Sequence, residues 1–410
     1  MMTVARSLPH RAWLTVGLLW FVGCLNYLDR VMLTTMRGSI KEVIPMTEAQ
    51  FGLLTTVFLF VYGGLSPFAG FLADRFKRSR VILISLLAWS FITWLTAHAK
   101  TFEQLLAARA LMGISEACYI PAALALIADY HRETTRSLAN GVHMSGIMVG
   151  SGLGGLGGWL AERHGWAYAF EVFGIVGIGY AILLVFFLRD RPAPAGADNP
   201  STPADLPPVS FFTGVKSLFR NGAFIIALLY WSLLAVASWA VVGWMPTFLN
   251  ERFHLSQGLA GLSATGYLQA AALVGVLLGG VWADRWSRTQ KRAPMYVPLI
   301  GLCIAAPGIF LTSVTGSLPV ALAALALFGL TKAFADTNMM PILSLMSDPR
   351  YRATGYGVLN FLSCLVGGAT IYASGALRDA HVDLSRVYQF GAACTLVCAG
   401  MLFFVRPKPI

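Results

Sequence analysis

Two ionisable clusters lie inside stretches of this chain that are otherwise apolar: Asn26-Tyr27-Leu28-Asp29-Arg30, and Arg109 followed seven residues later by Glu116. A charge at membrane depth costs about 2.5–3.5 kcal/mol on insertion scales, so such residues mark pathways for ions or solute. Arg109 and Glu116 stand two turns apart on one helical face and can meet at one cavity. Desolvation favours a protonated carboxyl and a neighbouring guanidinium favours the ionised one. Glu116 would therefore hold a proton while Arg109 is engaged elsewhere and lose it when Arg109 returns. That is the chemistry of coupled transport. Asp29 and Arg30 are neighbours about 100° apart on a helix, so one can face an adjacent helix while the other faces a central cavity.

A second polar set lies further along the chain. Lys332 and Asp336 are four residues apart, followed by Asn338, with Asn360 in the next apolar stretch. The pair can neutralise itself within its helix. Alternatively, Lys332 can face the cavity as a second cation. Asn338 and Asn360 can donate to and accept from hydroxyls, which suits a polyhydroxy acid. His143 can titrate near neutral pH and join a proton relay, or serve packing alone. Tyr27, Tyr230, Trp239 and Gln269 are candidates for a pocket wall.

The elements that must position these residues are membrane helices. The chain of 410 residues is 57% hydrophobic and 12% charged, far from the roughly 25% charge of a soluble domain. Apolar stretches long enough for a bilayer recur near 12–36, 51–73, 80–99, 102–127, 137–161, 166–188, 222–249, 258–283, 294–314, 318–347, 354–377 and 386–405. The first is too long, and lacks the small-residue cleavage site, for a removed signal peptide. Twelve transmembrane helices in an all-α membrane protein are expected. Two-thirds of the 30 lysines and arginines fall in one set of loops, which places both termini in the cytoplasm. The net charge of +11 thus reports topology and not nucleic-acid binding.

The polar, proline-rich stretch around residues 189–220 cannot bury a core and reads as a cytoplasmic linker. It divides the chain into an N-terminal six-helix bundle, 1–188, and a C-terminal one, 221–410. The halves echo each other. Gly70-Phe71-Leu72-Ala73-Asp74-Arg75-Phe76-Lys77-Arg78 recurs 210 residues later as Gly280-Val281-Trp282-Ala283-Asp284-Arg285-Trp286-Ser287-Arg288. Upstream of each copy stands a helix start signal, Thr47-Glu48-Ala49-Gln50 and Ser256-Gln257. Two parallel six-helix repeats suit alternating access. The six cysteines fall in apolar spans without metal-ligand spacing, so neither zinc nor a disulfide is expected. The glycine strings, Gly152 to Gly158 among them, sit in apolar spans without a preceding soluble strand, and there is no phosphate-binding Gly-x-x-x-x-Gly-Lys-Ser/Thr loop. An enzyme is therefore not expected. Energy would come from an ion or solute gradient, with no cofactor.

On the repeated Gly-x-x-Ala-Asp-Arg loop, the chain resembles the major facilitator superfamily along essentially its whole length. The resemblance implies that Asp74, Arg75, Asp284 and Arg285 are gating or structural residues. Physically, such an Asp can accept bonds from a neighbouring helix N-terminus while the arginines face lipid headgroups. Asn26 to Arg30, Arg109 to Glu116 and Trp244-Met245-Pro246-Thr247-Phe248-Leu249 are similar to the anion:cation symporter family of sugar-acid carriers. Gly113-Ile114-Ser115-Glu116-Ala117-Cys118-Tyr119 and Val149-Gly150-Ser151-Gly152-Leu153-Gly154 are similar to the spinster group of lipid and lysolipid transporters. The resemblance implies Asp29 and Glu116 as proton carriers and Arg30 as anchor of a substrate carboxylate.

The expected function is proton-coupled import of a small organic anion, such as a sugar acid, by a monomer of the bacterial inner membrane. The substrate would touch Tyr27, Arg30, Arg109, His143, Gln269, Lys332, Asn338 and Asn360 in a closed polar pocket. The rival is a spinster-like exporter or flippase of an amphiphile, with an apolar cavity open to lipid.

Overall fold

The computed structural model describes residues 4–131, 133–191, 211–346 and 352–404. Among them are sixteen helices and no strand. In chain order they are α1 (Val4–Thr35), α2 (Arg37–Val43), α3 (Glu48–Arg75), α4 (Arg78–Thr96), α5 (Phe102–Glu116), α6 (Tyr119–Tyr130), α7 (Glu133–Leu153), α8 (Gly155–His164) and α9 (Trp166–Phe187), then α10 (Phe211–Phe219), α11 (Gly222–Phe253), α12 (Gln257–Ser287), α13 (Ala293–Val314), α14 (Leu318–Met346), α15 (Arg352–Asp379) and α16 (Leu384–Phe404).

Eleven helical stretches in the described residues are long and apolar enough to cross a membrane. The expected span at 137–161 is helical but falls outside that set. It divides at Gly154 into α7 and α8, and its glycines and His143 dilute its apolarity. Residues 192–210, most of the expected linker, lie outside the described residues, whereas 211–219 fold into α10.

Both helix starts read from the sequence carry their caps. Thr47 Oγ1 accepts from Gln50 N at 3.1 Å while Gln50 Oε1 accepts from Thr47 N at 2.9 Å, a reciprocal capping box at the start of α3. Ser256 Oγ accepts from Leu259 N at 3.3 Å at the start of α12. Outward faces are apolar, with Ile84, Phe186 and Leu277 each more than 60% exposed, as a lipid-facing surface requires.

Within the first half α1 packs along α7, α4 along α9 and α3 along α5; within the second, α14 lies between α12 and α13, and α16 covers α11 and α13. The halves meet through α3 with α15, α8 and α7 with α12, and α1 with α11. Glycine makes the closest of these approaches possible. Gly150 of α7 lies against the Cys24 carbonyl of α1, and Gly155 of α8 against the Leu262 backbone of α12, leaving no room for a Cβ.

One end of the interface between halves is tied shut, the end that carries α2. Glu48 is held by Arg37 and by Lys41 at 2.6 Å, and Arg378 reaches it across the interface at 3.6 Å. Arg378 also grips Glu251 in two-pronged fashion at 2.7 and 2.9 Å. Asp379, at the end of α15, accepts from Glu48 N and Ala49 N at 2.9 and 2.8 Å, capping α3 from the other half. Glu162, at the end of α8, accepts from Gly258 N at 2.9 Å, capping α12 from the other half. A carboxylate at a helix N-terminus satisfies free N–H groups and the helix dipole together. The two caps are pseudosymmetric, because α3 and α12 occupy equivalent places in the sequence repeat.

Candidate functional site

α1 turns Tyr27, Arg30, Val31 and Thr34 to one side at helical spacing, and α11 answers with Trp231, Ala235, Ser238 and Val242. Between them lies a partly open cavity of about 210 Å³, completed by Phe58, Gln269, Lys332 and Asp336 among others. Its charged lining consists of Arg30, Lys332 and Asp336.

Arg30 donates from Nε to Glu116 Oε2 at 2.5 Å; its side chain is 7% exposed and that of Glu116 not at all. The guanidinium lies over the rings of Tyr62, Tyr27 and Phe58, at 4.3, 4.6 and 5.0 Å from their centroids. Charge pairing and ring faces together offset the loss of water around a buried cation.

The expected Arg109–Glu116 pair is replaced by Arg30–Glu116. Arg109 is buried, donates from Nη1 to Met112 Sδ at 3.0 Å and lies over Phe58, leaving Nε and Nη2 without partners. It lies behind the cavity wall, since seven residues bring two side chains to one face of a helix but not to the same depth. Asp29 points away from the cavity, as the 100° divergence from Arg30 requires, and accepts from Thr93 Oγ1 of α4 at 3.3 Å. Its other oxygen is buried, as is the side chain of Asn26, which lies within hydrogen-bonding reach of Glu116. Asn26, Asp29, Arg109 and Glu116 thus form a cluster of buried polar side chains between α1, α4 and α5.

Lys332 does both things the sequence left open. Its Nζ sits 2.8 Å from each carboxylate oxygen of Asp336, one turn along α14, and both residues line the cavity. Gln269 and Tyr27 also stand in the wall. Besides Arg109, three further expected contacts lie elsewhere. Asn338 is buried and gives its amide to Phe334 O of its own helix at 2.9 Å. Asn360 donates to Ser66 Oγ at 3.2 Å, tying α15 to α3. His143 is wholly buried, edge-on to Tyr119 at 5.8 Å and within reach of the Leu19 backbone, away from the cavity wall.

Of the repeated-loop residues, Arg75, Asp284 and Arg285 are exposed at the ends of α3 and α12, and the side chain of Asp74 lies outside the described residues. Asp284 makes no recorded bond to a helix N-terminus among the described residues. Instead, Asp379 and Glu162 seat on helix starts, at the opposite ends of the bundles, and sequence reading missed them.

It also missed Phe58, Trp231 and Ser238. The α11 stripe at i, i+4, i+7 and i+11 was a usable signal, whereas Phe58 had none, being one of many aromatics in an apolar span.

Residues 19–371 match the model of the Major Facilitator Superfamily. Protein spinster homolog 3 of Danio rerio is 28% identical over 389 residues, 90% of this chain and 77% of the relative. Protein spinster homolog 1 of Homo sapiens is 30% identical over 321 residues, 74% of this chain. Protein spinster homolog 1 of Xenopus tropicalis is 29% identical over 312 residues. The alignments span only 60% and 59% of the length of these last two relatives.

The crystal structure of a bacterial homolog to the human lysosomal transporter Spinster, in an inward-facing and unoccupied conformation, superposes with a TM-score of 0.77 at 22% identity. The match covers 96% of this chain and 95% of that one. The helical fold, the apolar spans and the family match agree on an integral membrane transporter, and this chain belongs to the major facilitator superfamily.

Proposed function

We propose that the protein is a proton-linked carrier of an amphipathic anion of the lysolipid kind, working by alternating access. The observation that carries this reading is the cavity wall. Phe58, Trp231, Leu234, Trp239 and Val242 face a single buried guanidinium, while Asn338 and Asn360, which would serve a polyhydroxy acid, are engaged elsewhere. Apolar walls suit an acyl chain and Arg30 suits an acidic head. The likeness to spinster proteins supports the same choice.

In the proposed cycle a proton on Glu116 breaks its pairing with Arg30, which then takes the head group. Asp29 serves the same internal network. The α2 end, outermost by the distribution of basic residues, is the end that the ion pairs and helix caps hold closed, so these contacts form the outer gate of the cycle. α7 and α8 together make the twelfth span, with both termini cytoplasmic, and the carrier acts as a monomer in a bacterial inner membrane.

The size of the cavity favours a second reading. At about 210 Å³ it encloses a small organic anion whole, but only the head and first carbons of a lysolipid, whose tail would extend beyond it. Proton-coupled uptake of a sugar acid or other carboxylate is that reading.

Reconstituted protein, with internal pyranine reporting protons, tests both. Proton movement evoked by lysolipids and absent in Glu116→Gln is expected. Movement evoked only by soluble acids would give the second reading precedence, and movement unchanged in Glu116→Gln would remove Glu116 from the coupling.

A further inference from the structure

We propose that Asp336 sets the charge limit of the cavity, restricting it to substrates with one negative charge. This rests on the proton-linked reading above and adds to it a determinant of specificity.

The wall holds two cations, each already matched. Arg30 is paired with Glu116 at 2.5 Å, and Lys332 with both oxygens of Asp336 at 2.8 Å. The two pairs differ in what can release them. Glu116 is wholly buried behind Arg30, whereas the Asp336 side chain is 36% exposed and that of Lys332 20%.

One proton on Glu116 converts an Arg⁺–Glu⁻ pair into Arg⁺ beside a neutral acid, and one substrate charge then restores neutrality. The count closes at one proton per negative charge. A second negative charge on the substrate has only Lys332 to turn to, and Asp336 both occupies that ammonium and repels the newcomer. The remaining wall residues carry no charge to compensate it. A like charge placed against the part of a ligand that should be excluded is a means of rejecting a near-analogue. Because Lys332 and Asp336 belong to the same helix, one turn apart, their pairing survives movement of the halves against each other.

The test compares matched probes differing by one charge: oleoyl lysophosphatidylglycerol, a phosphodiester, against oleoyl lysophosphatidic acid, a monoester carrying close to two charges at pH 7.5. Gluconate against glucarate provides the same contrast among soluble acids. Equilibrium binding to the full-length protein in nanodiscs gives the affinity ratio for each pair.

Wild type is expected to prefer the monoanion by at least about tenfold. Asp336→Asn should bring the ratio close to one by gaining affinity for the dianion, and Asp336→Glu should keep it. The double variant Lys332→Gln/Asp336→Asn, neutral again, should retain the preference, which separates charge selection from damage to the fold. An unchanged ratio in Asp336→Asn, or a wild type indifferent to the second charge, overturns the proposal. Binding confined to the sugar acids would sink the amphiphile reading, and the gluconate-to-glucarate ratio would still decide the role of Asp336.

Discussion

Arg30 and Glu116, 86 residues apart in the chain, meet at 2.5 Å in the interior of the first half, with Arg30 forming cavity wall on its other side. One guanidinium is thus shared between a buried carboxylate and whatever occupies the cavity. Removing one member of a buried pair strands the other, at about 3–5 kcal/mol. Arg30→Met should therefore lower thermal stability in detergent more than Arg30→Met/Glu116→Met, although the double variant loses more native side chain. Equal or additive losses would mean that the pair contributes nothing specific.

The two cross-capping carboxylates make a prediction about conformation. Asp379→Asn and Glu162→Gln each remove charge from a helix N-terminus on which the halves close, worth about 1 kcal/mol apiece. Each should raise the population open at the α2 end by about fivefold. Spin labels on that end, read as distance distributions, measure this directly. Because the caps act on different helices, their effects should add. Distances unchanged in the double variant would assign closure to the Arg37–Glu48–Arg378–Glu251 ion pairs alone.

Trp231 and Trp239 present large apolar surfaces to the cavity. Losing a buried aromatic contact forfeits about 1.5–3 kcal/mol, so Trp231→Ala should weaken lysolipid binding about 10- to 100-fold. A small acid held by its carboxylate should lose much less. Competition binding with both ligand types on the same variant distinguishes the two readings of the cavity. Equal losses for both would argue for distortion of the site.

Asn338→Leu should leave ligand affinity within about twofold of wild type, because the amide is spent on Phe334 O and points away from the cavity wall. A loss of about tenfold or more would show that α14 rotates during the cycle to bring Asn338 inward. The assay is the same equilibrium binding.

Packing between α1 and α7 depends on Gly150, where a side chain would strike the Cys24 carbonyl. Gly150→Val should prevent a stable fold, seen as loss of a monodisperse peak on size-exclusion chromatography. Gly64, with open space where a Cβ would lie, is the control: Gly64→Ala should be neutral or stabilising by up to about 1 kcal/mol.

Much of the architecture was legible before any coordinates, for identifiable reasons. Apolar length reports spans because a bilayer leaves no water for backbone groups, and Thr47 and Ser256 marked helix starts because capping is a local interaction. The stretch expected as a span at 137–161 is helical but divided at Gly154 and falls outside the set long and apolar enough to cross a membrane, since glycines that permit close packing also lower apolarity. Residues facing one cavity from one helix, Tyr27 and Arg30, could be grouped by periodicity alone.

The sequence by itself determined which polar groups lie within apolar spans, that a loop motif recurs 210 residues apart, and that Lys332 and Asp336 stand one turn apart within pairing reach, since all of these depend on composition or on spacing along the chain. Only the tertiary structure decided that Glu116 answers to Arg30 and not to Arg109, that Asn338 and Asn360 stand outside the cavity, and that Asp379 and Glu162 cap helices of the opposite half. Partners on different helices are chosen by how those helices rotate and cross. That depends on the packing of every side chain between them, and no spacing along a single strand of sequence records it.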